Sequence, residues 1–310
     1  MACNNPQAGQ QYLGGGGTVR SFLRDTPSPR TLRAAGLLLA LGGLAFVGIR
    51  IWDQAERVPL DRVGATEALY LFLLAIIYGG SNVLPSLGWR HLLQREGVAV
   101  SRWWAIRTYG MTQVAKYLPG NVFHFAGRQA IGMAGGLPGW ALVRSAFWDI
   151  GVIVGAGAVL SSLTFMWWWA DVQRAVQCSA TLLVLGGVFG IGRWLGSNVT
   201  LAFLHAVSFL VIAAVLFVVV VGLMSEPTAV TGPVMGRLVA GYLVSWLLGT
   251  LTPGAPAGLG VREVALLVIL RGAIPESDLL LAIVLFRVVT TGGDGLLFCG
   301  LSMGREVAPK

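Results

Sequence analysis

The apolar positions of this chain come in long unbroken runs separated by short polar or basic loops. That pattern is neither the two-residue alternation of a half-buried strand nor the stripe of a surface helix. A helix needs about 20 apolar residues to cross the hydrocarbon of a bilayer. The first run covers Leu32–Trp52 and follows a basic flank that includes Arg33. A mixed loop, "DQAERVPLDRVG", leads to a second run, Thr66–Trp89, whose far end meets Arg90, Arg95, Arg102 and Arg107. Further runs cover Ala141–Trp169, Val176–Trp194, Val199–Met224, Met235–Thr252 and Leu279–Met303. Lys and Arg collect in cytoplasmic loops, so these flanks place both termini inside.

Two places break the pattern. "WWAIRTYGMTQVA" and "VFHFAGRQAIGMAGG" flank the pair Pro119–Gly120, and each is too short and too polar to span alone. They predict a re-entrant helical hairpin, because irregular backbone at membrane depth needs protein or a water-lined cavity around it. A second pair, Pro253–Gly254, follows the run Met235–Thr252. Set side by side, "YLPGNVFHFAGRQA" and "LTPGAPAGLGVREV" each place an arginine nine residues after the proline, Arg128 and Arg262, at a common offset of 134 residues. Each break is followed by a span holding both an arginine and an aspartate, Arg144 with Asp149 and Arg287 with Asp294.

The expected architecture is therefore an all-α integral membrane protein. It is a polytopic helical bundle of about six spanning helices plus two re-entrant broken-helix hairpins, arranged as the inverted repeat of alternating-access transporters. Residues 1–30 read as a disordered cytoplasmic tail, 31–304 as one transmembrane domain and 305–310 as a C-terminal cytoplasmic tail; module A covers about 66–169 and module B about 199–303.

Composition agrees. The chain is 55% hydrophobic and 12% charged, and its mean hydropathy of +0.73 lies outside the range of soluble domains. The net charge of +8 comes mostly from arginines in short loops, which suit anionic lipid headgroups and not nucleic acid. Cys3, Cys178 and Cys299 lack disulfide or metal spacing and read as packing residues. Trp103, Trp104 and the triplet Trp167–Trp169 read as an interfacial aromatic belt.

A charge inside hydrocarbon costs roughly 2.5 to 3.5 kcal/mol on insertion scales, so the charged residues at the breaks mark a site or pair with one another. At the first break, Asn121 suits the cap of the following half-helix, and His124 and Arg128 share one face of it. Free N–H groups and the positive helix end make an anion site there, to which Lys116 adds a point charge beside Tyr117, Pro119 and Gly120. At the second, Pro253, Gly254, Gly258 and Gly260 let backbone approach a ligand, and Arg262 and Glu263 open the next half-helix, with Arg287 on the last span. A phosphate headgroup fits this set. Asp149 and Asp294 are candidates for proton coupling, although all these charges also have a structural reading as mutual pairs. The acids Glu67, Asp149, Glu263 and Asp294 never cluster along the chain, so neither a metal site nor a cofactor is expected.

The motifs "KYLPGNVFHFAGR" and "PAGLGVREVAL", followed by a span with Arg287, resemble the membrane domain of the lysylphosphatidylglycerol synthase family over about Leu32–Met303. The resemblance places the broken-helix motifs on Lys116–Arg128 and Pro256–Glu263, and the protein in a bacterial inner membrane. It implies movement of an anionic phospholipid between leaflets. For stand-alone relatives it implies a role with polyprenyl-phosphate-linked saccharides or glycolipids, beside glycosyltransferases of the same pathway. Ala257 stands where the family's second motif usually has glycine, and Phe123 where relatives often carry tryptophan. No soluble aminoacyl-transferase domain follows the membrane part, so lysine transfer is not expected. The leading expectation is a translocase and not an enzyme; the alternatives are a membrane-embedded lipid-modifying transferase and a scaffold subunit of a glycosyltransferase complex.

Overall fold

A computed structural model of the chain describes residues 42, 49, 60–118, 120, 122–168, 174–226, 229–252, 254–304 and 308–309. The expected first run, apart from Gly42 and Ile49, lies outside them, as do the N-terminal tail, Trp169, Asp171 and Arg305. The described residues from Gly42 onward belong to one compact unit, residues 39–310.

Ten α-helices follow one another along the described chain: α1 (Ala65–Ser81), α2 (Val83–Arg95), α3 (Arg102–Gln113), α4 (Phe123–Ala134), α5 (Gly139–Trp168), α6 (Arg174–Leu195), α7 (Ser197–Met224), α8 (Gly232–Leu251), α9 (Val261–Ile269) and α10 (Glu276–Ser302). Short 3-10 turns at Val114–Tyr117 and Pro256–Gly258 fall at the two breaks. Among the described residues six helical stretches are long and apolar enough to cross a membrane: α1 with α2, then α5, α6, α7, α8 and α10. The arm leading into the second break, α8, is thus long enough to span by itself.

The expected single run Thr66–Trp89 is instead two helices meeting at Asn82 and continuing to Arg95. Pro85 explains the break: it offers no N–H to the Ser81 carbonyl, and its ring crowds that oxygen. Side chains brace the carbonyls on either side. Ser81 Oγ and Asn82 Nδ2 both donate to the Tyr78 carbonyl, and Ser86 Oγ donates to that of Asn82.

In lipid the hydrophobic effect does not draw helices together, so close packing over small residues takes its place. The α1–α10 crossing follows this rule. A Cβ on Gly79 would lie 2.6 Å from the Gly293 carbonyl oxygen, and one on Gly293 would lie 2.5 Å from that of Ala75. Helix α7 is the central element, packed against α1, α2, α5, α8 and α10, with Ala202, Ala206, Ala213 and Ala214 beside Phe209 and Phe217 on its buried face. Trp104, expected at an interface, is instead buried and stacked on Trp89 at 5.7 Å, whereas Trp103 is exposed. Cys178 and Cys299 are exposed and not packing residues.

Hydrogen bonds between helix ends sort the charged loops into two groups. At one end, Arg95 donates to the Leu195 carbonyl, Arg107 to the carbonyls of Leu301 and Gly304, and the Ser101 N–H to that of Pro309. At the start of both α1 and α10, Arg62 pairs with Asp278 at 2.8 Å, beside Asp61 and Glu276. One end of the bundle is therefore rich in arginine and the other carries most of the loop acids.

Candidate functional site

The first break is built by a helix that tightens before it ends. Helix α3 passes into the 3-10 turn Val114–Tyr117, and Leu118 turns extended ahead of Pro119, as a residue before proline must. Gly120 takes φ +112°, open to glycine and costly for other residues. The turn directs Lys116 and Tyr117 at one carboxylate: Lys116 Nζ lies 2.7 Å and Tyr117 Oη 2.6 Å from Asp294 Oδ2. Asn82, released by the α1–α2 break, donates to Asp294 Oδ1 at 3.3 Å and accepts from Gln113 Nε2 at 2.9 Å. Asp294, completely buried, thus has a partner on each oxygen.

Beyond the break, α4 carries His124 and Arg128 on one face, as their spacing requires, but their surroundings differ. Arg128 is 2% exposed. Its Nη1 lies 2.7 Å from Asp149 Oδ2, and its guanidinium sits over the rings of Tyr109, Phe125 and Trp89. This is an enclosed ion pair with aromatic walls. His124 instead borders the cavity described below, its ring 4.0 Å from that of Phe125 and its buried Nδ1 without a hydrogen-bond partner. Asn121 and Pro119 lie outside the described residues; the residue at the cap position of α4 is Val122, whose side chain makes no capping bond.

The second break uses more left-handed backbone. Gly254, Gly258 and Gly260 have φ of +82°, +74° and +84°, and Ala257 between them has φ +48°. Pro253 lies outside the described residues. The Gly260 N–H donates to Glu263 Oε2 at 2.6 Å, so Glu263 closes the N-terminus of α9. Its other oxygen accepts from Arg287 Nε at 2.5 Å, while Arg287 Nη1 donates to the Ala257 carbonyl at 3.1 Å. A single buried carboxylate thereby ties the break to α10.

Arg262 has a different setting. It passes between two glycines: a Cβ on Gly249 would come within 2.4 Å of its Cγ, and one on Gly258 within 2.6 Å of its Nε. Gly258, expected to admit a ligand, thus makes room for Arg262. The guanidinium lies over Trp246 at 5.5 Å and donates to Thr250 Oγ1 at 3.2 Å, and its Nε is buried without a partner. Among the described residues no carboxylate pairs with it.

The two breaks touch. Gly120 and Gly254, the same position in each motif, form an isolated antiparallel backbone bridge, and Tyr117 packs on Ala257 and Leu259 beside it. Around this contact lies a cavity of about 460 Å³, a volume usual for a small-molecule site. Lys116, Tyr117, Gly120 and His124 border it from the first break, Arg262 and Glu263 from the second, and Arg287 from α10. Its apolar wall includes Phe209, Phe217, Tyr242, Trp246 and Phe286. Asp149 also borders it, but neither Arg128 nor Asp294 does: both lie one layer behind.

Charge follows from these pairings. Lys116 with Asp294, Arg128 with Asp149 and Arg287 with Glu263 each sum to zero, and among the described residues Arg262 remains as an unbalanced cation at the cavity. Arg144 takes no part; it reaches Glu96 at 3.0 Å with its side chain half exposed. Sequence reading missed Tyr78, Asn82, Gln113 and Trp246. A polar Asn three residues before a proline, inside an apolar run, was the available signal for Asn82. The chain matches no family model, no curated protein and no solved structure.

Proposed function

We propose that this protein moves an anionic lipid, a phospholipid or a polyprenyl-phosphate-linked saccharide, across the membrane, with its phosphate held at the junction of the two breaks. The observation that carries this reading is Arg262, a cation without a carboxylate partner among the described residues, bordering a half-open cavity with an aromatic wall. Such a cation in a low-dielectric site is stabilised by a bound anion. The glycines Gly249 and Gly258 on either side leave room for its side chain at the cavity.

The wider arrangement fits transport. In this reading the hairpin α3–α4 enters from the arginine-rich end and α8–α9 from the acidic end, as an inverted pair meeting at Gly120 and Gly254. The positive-inside rule then places the arginine-rich end in the cytoplasm. A cavity at the meeting point of two discontinuous helices is where alternating-access proteins hold their cargo.

The test is transbilayer movement of fluorescent phosphatidylglycerol and of a short-chain polyprenyl-phosphate sugar in proteoliposomes, wild type beside Arg262→Ala. Losing one charge-assisted contact, worth about 1.5–3 kcal/mol, lowers the rate roughly tenfold or more. The variant keeps its fold, because no carboxylate is left unpaired. Wild-type rates in Arg262→Ala would sink the assignment. Product formation in detergent, with no movement in vesicles, would favour a lipid-modifying transferase.

A further inference from the structure

We propose that binding of the anionic headgroup draws a proton onto Asp294, so that lipid and proton cross together as an electrically neutral cargo; this rests on the translocase reading above. Lys116 is the link. Its side chain is 17% exposed and borders the cavity, while its Nζ lies 2.7 Å from the Oδ2 of a carboxylate with no exposed surface. An ammonium on a flexible stem is a compact charge free to turn. A phosphate arriving in the cavity competes with Asp294 for it.

Among the described residues Asp294 has no other cation to fall back on. Facing it are Tyr78 from α1, Lys116 and Tyr117 from the turn after α3, and Asn82 backed by Gln113; apart from Lys116 all are neutral. Arg287, two turns earlier on α10, is committed to Glu263 and the Ala257 carbonyl, and Arg262 lies over Trp246. A buried carboxylate stripped of its counter-ion is neutralised by a proton and does not stay charged. The balance is simple: the carboxylate gains H⁺ from solvent, and the Lys116 ammonium keeps its protons and pairs with the phosphodiester. The bound state then has the same net charge as the empty one, the single positive charge of Arg262, so a full transport cycle moves no net charge.

The other two pairs lack this link. Arg128 does not border the cavity, so a headgroup has no access to the cation of Asp149. Glu263 also accepts from the Gly260 N–H, and Arg287 is held by the Ala257 carbonyl.

The experiment is calorimetric titration of detergent-purified protein with short-chain phosphatidylglycerol, and with a short-chain polyprenyl-phosphate sugar, near neutral pH in buffers of different ionisation enthalpy. Both probes are phosphodiesters that keep one negative charge at this pH, so the ligand takes up no proton itself. The expected result is uptake of about one proton per ligand in the wild type, lost in Asp294→Asn while binding persists. Binding without uptake in the wild type overturns the proposal and leaves the translocase standing. Unchanged uptake in Asp294→Asn also overturns it. Binding of neither probe removes both readings. Should Asp294→Asn fail to fold because Lys116 is left buried and unpaired, Lys116→Gln/Asp294→Asn strands no charge, and it is expected to bind more weakly with no uptake.

Discussion

Arg128 and Arg262 stand nine residues after their prolines and differ in what surrounds them. Arg128 is enclosed with Asp149, so Arg128→Ala strands a buried carboxylate. The expected loss is about 3–5 kcal/mol of stability. Replacing both partners, Arg128→Met with Asp149→Leu, leaves no charge behind and should stay within about 1.5 kcal/mol of wild type. Thermal unfolding in detergent compares the two, and equal destabilisation by single and double would refute the pairing argument. The charged residues themselves were legible, because hydrocarbon makes each one conspicuous. Their partners were not: Lys116 and Asp294 are joined by tertiary packing across most of the chain, and no local spacing records it.

At the scale of elements, the breaks were legible because proline and glycine act locally. Ala257 sharpens the point. It stands where the resembling family usually has glycine, and it has the one positive φ outside glycine among the described residues. A Cβ in that conformation costs about 1–2 kcal/mol. Ala257→Gly is therefore expected to leave stability unchanged or raise it by up to about 1 kcal/mol, whereas Ala257→Val lowers it; chemical unfolding of the pair checks the order. The α1–α10 crossing was not legible, since many glycines in the chain face open space. Gly293→Val should abolish folded protein, as its Cβ meets the Ala75 carbonyl at 2.5 Å, while Gly295→Val, with nothing within 4 Å, should express normally. The break at Asn82 was hidden for another reason: hydropathy averages over a run and does not register a missing N–H.

For the whole molecule, run lengths and arginine placement predicted a helical membrane bundle because those properties sum over many residues. Among the described residues six helical stretches are long and apolar enough to cross a membrane, and the arginine-rich loops gather at one end. The side that faces the cytoplasm has its own test. Ala99, in the loop after α2, whose Arg95 reaches the Leu195 carbonyl just before α7, and Glu226, just past the far end of this 28-residue helix, are both exposed. In a background without native cysteines, Glu226→Cys should react with an impermeant maleimide in intact cells, and Ala99→Cys only after permeabilisation. The reverse pattern would invert the protein in the membrane.

The bridge between Gly120 and Gly254 is made of main-chain atoms, whereas the walls of the cavity beside it are side chains. Joint and lining are therefore separately heritable. A descendant of this chain is free to exchange Phe209, Phe217, Tyr242 or Trp246 and so reshape the cavity while the main-chain bridge beside it stays intact.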